Sequence, residues 1–416
     1  MVGGFLGVVN ETGMLDTGIA SIVKKYKGRE KMLILVLMPL FALGGTTYGM
    51  GEETMAFYPL LVPVMMAVGF DSITAVAIIL LGSQIGCLAS TLNPFATVIA
   101  SDTAGVPTAD GIVLRLIFWF VMVAMSTYFV YRYADKIQKD PTKSLVYSQR
   151  EEDLKHFNVT DNDDAPSVLS KKQKHVLYLF IATFVIMVAS FIPWTDLHIN
   201  LFENFNSWLT GLPVIGKIIG SSTGALGTWY FPEGAMLFAF MGILIGIVYG
   251  LKEDKIISAF MNGAADLLSV ALIVAIARGI QVIMNDGMIT ATILHWGEQG
   301  LKGLSSQLFI ILTYIFYLPM SFLIPSSSGL ASATMGIMAP LGEFVNVKGS
   351  LIITAYQSAS GVLNLVAPTS GIVMGALALG RISLGTWWKF IGKLIVAIIV
   401  VSILLLLLGT FIPAIG

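Results

Sequence analysis

Charge is scarce in this chain. Only 12% of its 416 residues are Asp, Glu, Lys or Arg, while 56% are hydrophobic; a water-soluble domain carries about 25% charged residues. So few charges cannot cover a water-facing surface, and the implied solvent is lipid. An excess of one sign is missing too. The formal net charge is −1, which offers no basic field for nucleic acid. Cysteine is nearly absent: Cys87, inside an apolar run, is the single one, which excludes an intrachain disulfide and a cysteine-rich metal site. His156, His175, His198 and His295 are scattered, with no pair at metal-ligand spacing on one helical face. No cofactor and no resident metal are expected. Alternating strand patterns are lacking, which excludes a barrel and leaves helices to satisfy the backbone in hydrocarbon. The stretch from Gly211 to Ile218 approximates a phosphate loop but lacks the Ser or Thr that would hold Mg²⁺, and no strand precedes it. That argues against ATP as the direct driver.

What the chain has is long uncharged runs. A bilayer core takes about 20 residues of helix, and uncharged runs of that order cover 32–51, 72–101, 176–195, 303–342, 349–380 and 394–416. Residues 111–131 cross with one arginine, Arg115; 234–251 is slightly short; 256–281 carries Asp266 and Arg278. The expected fold is an all-α polytopic membrane protein. The basic loop from Lys24 to Arg29 and the polar segment from Arg132 to Lys174 are expected on the cytoplasmic side. Gly242, Gly246 and Gly250 recur at four-residue spacing, which lets a neighbouring helix approach closely.

A repeat runs through this pattern. Pro39, Leu43, Gly49 and Thr54 match Pro319, Leu323, Gly329 and Thr334 at identical spacing, and Asn10 to Met14 resembles Asn285 to Met288 upstream. Downstream, each half has a long apolar run interrupted late: Ser90-Thr91-Leu92-Asn93-Pro94 in one, Ala367-Pro368-Thr369-Ser370-Gly371 in the other. An odd number of crossings between corresponding points gives two inverted structural repeats, residues 1–134 and 175–416, joined by a cytoplasmic linker over 135–174. The first repeat has less ahead of Asn10 than the second has ahead of Asn285. It is therefore expected to be N-terminally incomplete, the native chain starting earlier.

Inverted repeats with broken helices are the signature of alternating-access carriers. The prolines at the breaks free backbone carbonyls, and Thr91, Asn93, Pro94, Pro368, Thr369 and Ser370 are expected to line a substrate and ion site there. The glycine- and hydroxyl-rich stretches after Pro39 and Pro319 read as tips of re-entrant hairpins, adding Thr46, Thr47, Gly49, Glu52, Glu53 and Thr54 from one and Ser326, Ser327 and Ser328 from the other. Adjacent carboxylates at membrane depth need a cation, so Glu52 or Glu53 is expected to meet a substrate ammonium or guanidinium, Na⁺, or a proton. Na⁺ near Asn93 and Thr369 is the candidate coupling ion, with H⁺ as the alternative; one charge falling through 100 mV yields about 2.3 kcal/mol. A channel would need a filter or charge ring that this sequence does not show, and an intramembrane enzyme would need a nucleophile–base pair. The chain is not expected to be an enzyme.

The run Gly3 to Gly13, Gly51-Glu52-Glu53-Thr54, Leu92-Asn93-Pro94 and Ala367 to Gly371 resemble the C4-dicarboxylate anaerobic carrier (DcuC-like) family, in particular its YfcC-like branch, assigned to basic amino-acid antiport. The similarity runs along nearly the whole chain. It implies membership of a wider ion-transporter superfamily, with a scaffold domain plus a transport domain carrying two re-entrant hairpins. It also implies Na⁺- or H⁺-coupled or exchange transport by a homodimer of elevator type, in the cytoplasmic membrane of a prokaryote. The Ser-Asn-Thr tips of the dicarboxylate carriers are replaced here by Thr46-Thr47 and Ser326-Ser327-Ser328. With Glu52 and Glu53 present, the expected substrate is a small carboxylate-bearing metabolite, a basic or zwitterionic amino acid, with a C4-dicarboxylate as the alternative.

Overall fold

A computed structural model describes residues 1–15, 17–18, 21, 29–157, 159, 168–191, 194–195, 199–213, 216–217, 220, 223–229, 231–266 and 303–412, with isolated positions between 268 and 300. Arg278 and Asn285 lie outside the described residues, as do 24–28 of the basic loop. The described residues form helices and no strand. In chain order the helices are α1 (Val2–Glu11), α2 (Met32–Tyr48), α3 (Tyr58–Ala67), α4 (Ser72–Leu88), α5 (Ile99–Ala104), α6 (Ile112–Lys139), α7 (Arg150–His156), α8 (Lys171–Phe191), α9 (Leu201–Thr210), α10 (Phe231–Tyr249), α11 (Glu253–Asp266), α12 (Ser306–Leu323), α13 (Ser327–Phe344), α14 (Gly349–Leu363), α15 (Gly371–Leu379) and α16 (Leu384–Phe411). Among them α6, α8, α10, α12 and α16 are long and apolar enough to cross a bilayer. The chain folds as two units, Met1–Lys25 with Asn162–Ser269, and Tyr26–Asp161 with Val270–Gly416.

Small residues hold the first unit together. A Cβ on Gly7 would lie 2.2 Å from the Ala259 carbonyl oxygen, and one on Gly263 2.2 Å from that of Gly3, so the backbones of α1 and α11 touch. Lipid tails are as apolar as leucine, so dispersion between close backbones must supply the association. Gly242 brings α10 to Phe5, whose ring packs on Phe180 at 5.6 Å and Phe238 at 5.3 Å. Gly246 faces Val8 and Ile256, whereas Gly250 is in the left-handed region and ends α10 instead of packing it. On α9 the exposed Leu201, Phe205 and Trp208 share one face, the form of a helix lying at a membrane interface.

The second unit shows the same order of elements twice. Helices α2 and α3 both pack on the buried α4, and α12 and α13 both pack on the buried α14. Each buried helix then breaks, a short helix follows (α5 or α15), and a 28-residue helix ends the series (α6 or α16). The short helices are exchanged: α5 packs on α13, while α15 packs on α3 and on the 3-10 turn Glu52–Phe57 before it. Pro39 and Pro319 sit inside α2 and α12. The stretches read as loops are shorter than expected, because Gly44 to Tyr48 extend α2 and Ser327 onward already belongs to α13. Glycine sets the tightest approach here too. A Cβ on Gly86 would stand 2.2 Å from the Ala42 oxygen, and one on Gly45 2.0 Å from that of Ser83.

The polar segment after α6 carries regular structure over much of its described length. Helix α6 continues to Lys139, and residues 140–157 form a strap of two 3-10 turns and α7. At one end Ser144 donates to Asp71 (2.6 Å), whose carboxylate also accepts from Tyr133 (2.7 Å) and caps α4 through the Thr74 amide (2.8 Å). At the other end Asp153, 1% exposed, pairs with Arg381 at 3.1 Å. Gln149 donates to Asp153 and to the Arg381 carbonyl. Burial pushes the Asp153 carboxyl above the ordinary carboxylate range, opposed by Gln149 and Arg381.

Two consequences can be measured. Gly86→Val should destabilise the second unit by about 2–3 kcal/mol, because the atoms it meets are backbone and cannot swing aside; a lowered melting temperature in detergent checks this. Arg381→Asn keeps the left-handed backbone that Asn tolerates but strands Asp153. It should speed proteolysis between residues 140 and 157 roughly tenfold, the equivalent of ~1.4 kcal/mol of local opening.

Candidate functional site

Both breaks lie in the second unit, and each is met by a hairpin tip. At the first, α4 ends at Leu88 and the helix resumes only at the π-turn Pro94–Val98, so the intervening backbone groups lose their helical partners. The tip of α2 supplies replacements. The Thr46 carbonyl accepts from the amides of Thr91 and Leu92, both at 3.1 Å, and the Thr46 hydroxyl donates to the Ala89 carbonyl at 2.8 Å. Gly49 closes α2 at φ 78°. It also lets the Asn93 side chain lie against the tip: a Cβ there would stand 2.4 Å from Asn93 Oδ1. Asn93 in turn caps the resumed helix through the Phe95 amide at 2.8 Å. Thr46, Thr91 and Asn93, expected together with Gly49 from the sequence, are buried in one cluster with the half-buried Gly49 beside them.

The carboxylates follow directly. Glu52 and Glu53 open the 3-10 turn and are half-buried. Glu53 accepts from the Gly51 amide at 2.9 Å, and Thr54, fully buried, donates to the Gly51 carbonyl at 2.6 Å. A Cβ on Gly51 would stand 2.9 Å from Ile372 Cδ1, at the start of α15, so the first tip reaches the second break as well.

At the second break α14 ends at Leu363 and α15 begins at Gly371, with Thr369 and Ser370 buried between them. Thr369 donates to the Phe322 carbonyl at the end of α12 (3.2 Å), and Tyr356 donates to the Ser327 carbonyl at the second tip (2.5 Å). Ser326 caps α13 through the Gly329 amide at 3.2 Å and lies 3.3 Å from the Ser328 hydroxyl. Two expected residues stand apart. Thr47 turns back on the Leu43 carbonyl of its own helix at 2.6 Å, and the ring of Pro368 is exposed. Pro94 starts the π-turn; its side chain lies outside the described set.

Two glutamines that the sequence reading passed over tie the parts together. Gln357, on α14, donates to the Ser90 carbonyl at 2.8 Å and accepts from Thr97 at 2.9 Å, while Thr97 lies 2.5 Å from the Ser90 hydroxyl. Gln84, on α4, donates to the Met50 carbonyl at the first tip (3.3 Å), which the half-buried Cys87 thiol also faces at 3.7 Å. Each is the lone amide of an uncharged helix, about three turns before Pro94 or Pro368, and that position was a readable signal. Arg115, fully buried on α6, was read only as a charge to be tolerated; it donates to the Thr91 carbonyl at 3.1 Å.

Among the described residues no group of three or more His, Cys, Asp or Glu side chains is arranged to hold a metal ion. The cluster instead gathers neutral acceptors and hydroxyls around two interrupted helices, with carboxylates at one tip and a guanidinium behind the other side of the first break. Such a set can bind a small zwitterion or an ion by replacing its hydration shell.

A protein of Haemophilus influenzae of uncharacterized function is 33% identical over 406 residues, covering 98% of this chain and 73% of its own. The Escherichia coli K12 protein named "Putative basic amino acid antiporter YfcC" is 29% identical over 401 residues, covering 94% and 72%. Two solved proteins overlay loosely: the YdaH transporter of Alcanivorax borkumensis (14% identity, 98% of this chain and 85% of that one, TM-score 0.44) and Neisseria gonorrhoeae MtrF (16%, 99% and 80%, TM-score 0.36). The model of the C4-dicarboxylate anaerobic carrier family matches residues 1–411. This chain belongs to that family, and is a multi-pass membrane transporter.

Proposed function

We propose that the transporter moves a small carboxylate-bearing metabolite, a basic or zwitterionic amino acid, across the cytoplasmic membrane of a prokaryote. Transport is by ion coupling or exchange, and the substrate sits between the two breaks and the two tips. The observation that carries this reading is the joining of four distant stretches, around 46–53, 90–97, 326–328 and 356–370, by hydrogen bonds into one polar network that is largely buried, with Glu53 and Ser326 to Ser328 half-buried at its edge. Irregular backbone at membrane depth is tolerated where it is buried in protein or lines a cavity, and paired breaks facing polar tips are the form a carrier's midplane site takes. Glu52 and Glu53 suit the cationic end of a basic amino acid, and the name of the Escherichia coli relative points the same way. Na⁺ near Asn93 and Thr369, or H⁺, is the coupling ion in this reading; the halves 1–134 and 175–416 are inverted repeats, and the protein works as a homodimer of elevator type. The second reading, a C4-dicarboxylate substrate, draws on the family's name.

Proteoliposome counterflow with labelled arginine, lysine and succinate, with and without Na⁺, separates the two. Concentrative uptake of arginine or lysine is expected; uptake of succinate alone would replace the first reading with the second, and neither carrier behaviour would appear in a channel. Asn93→Ala and Thr369→Ala should each abolish the ligand-induced thermal shift while the unliganded protein still melts cooperatively. Glu53→Gln should raise the half-saturating concentration for arginine by about tenfold, roughly one lost charge-assisted contact. Normal binding by both alanine variants would sink the site.

A further inference from the structure

Arg115 and Trp387 hold the same place in two equal helices. Helices α6 and α16 each run for 28 residues, each follows the short helix after a break, and each carries a fully buried side chain at its fourth position. On α6, Arg115 donates through Nη1 to the Thr91 carbonyl at 3.1 Å, and through Nη2 to the carbonyls of Thr108, at 3.0 Å, and Asp110. On α16, the Trp387 indole donates to the Leu365 carbonyl at 2.8 Å, and its neighbour Trp388 to that of Val366 at 2.9 Å. The service is the same at both breaks: a ring or guanidine N–H takes up a carbonyl that the interrupted helix has released. The charge differs.

A guanidinium remains protonated wherever it is placed, so the first break carries a full positive charge and the second, capped by indoles, carries none. No hydrogen-bond partner of Arg115 neutralises that charge, since its acceptors among the described residues are backbone carbonyls and its buried Nε has none. The Asp110 side chain is exposed on the loop, where water screens it. On the Arg115 side of the first break a cation would meet a like charge on an oxygen already engaged, and an anion would be drawn there; Glu52 and Glu53 stand on the tip side, where Gly51 reaches Ile372 of the second break.

We propose that Arg115 sets the polarity of the site, making the first break the end that receives the substrate carboxylate and narrowing the position of any coupling cation, from Asn93 and Thr369 in the reading above, to Thr369 at the second break. The proposal rests on the carrier reading above and assigns Arg115 as a positioning residue, since it acts through the Thr91 backbone and its field. Arg115→Gln retains N–H donors without charge, and Arg115→Lys retains charge without the fork. In proteoliposomes taking up labelled arginine or succinate, each acid is competed against its own amide, argininamide or succinamate. The wild type and the Lys variant should prefer the acid by about tenfold or more, and the Gln variant by about threefold or less, with the maximal rate changed less than the ratio. An unchanged ratio in a transporting Gln variant overturns the assignment. A second readout needs no variant: sodium titration of wild-type uptake should show a Hill slope no higher than about one, and a slope of about two, a cation at both breaks, overturns it. A wild type that takes up neither probe refutes the carrier reading first and the assignment with it, an outcome distinct from uptake with the wrong ratio or slope.

Discussion

A carbonyl or amide released from a helix inside hydrocarbon has no water to turn to, and leaving it bare costs several kcal/mol. Every notable contact around the two breaks answers that demand. The Thr46 carbonyl takes the amides of Thr91 and Leu92, the Thr46 hydroxyl serves Ala89, Arg115 serves Thr91, and the indoles of Trp387 and Trp388 serve Leu365 and Val366. The donors come from elements far away in sequence. Interrupting two helices therefore commits the hairpin tips and the two long helices to fixed positions, and the polar cluster forms where they converge.

The two units are consolidated by different means. In the first, Gly3, Gly7 and Gly263 bring α1 and α11 into backbone contact beside an aromatic cluster on Phe5, an arrangement with little polar content. In the second, glycine still sets the approach of α2 to α4, but the specificity lies in hydrogen bonds between side chains and main chain, such as Gln357 to Ser90 and Tyr356 to Ser327. Dispersion tolerates no gap, whereas a hydrogen bond can be exchanged for one to a ligand. The part able to trade partners is the part holding the breaks.

Much of this was legible in the sequence because prolines, glycines and missing charges speak directly about helices in lipid. Asn93-Pro94 and Pro368-Thr369 marked real interruptions. Where a helix runs on was less legible: Gly44 to Tyr48 look like a loop by composition, yet packing against α4 keeps them helical. The strap was missed because its order comes from distant anchors, Asp71 and Arg381, which local pattern cannot announce. Gln84 and Gln357 were overlooked since a neutral amide disturbs hydropathy so little, and Thr47 was over-read because a hydroxyl can be spent on its own helix. Arg115 was seen, but only three-dimensional proximity reveals that its partners are the carbonyls of the break.

Cys87 closes the account in a practical way. It is the only thiol in the chain, and it lies half-buried on α4, facing the Met50 carbonyl where the first tip meets the broken helix. A spectroscopic label attached there would sit at the junction between hairpin and interruption without any other cysteine having to be removed. The native sequence thus already supplies an optical reporter for whether that junction stays shut or parts during a transport cycle.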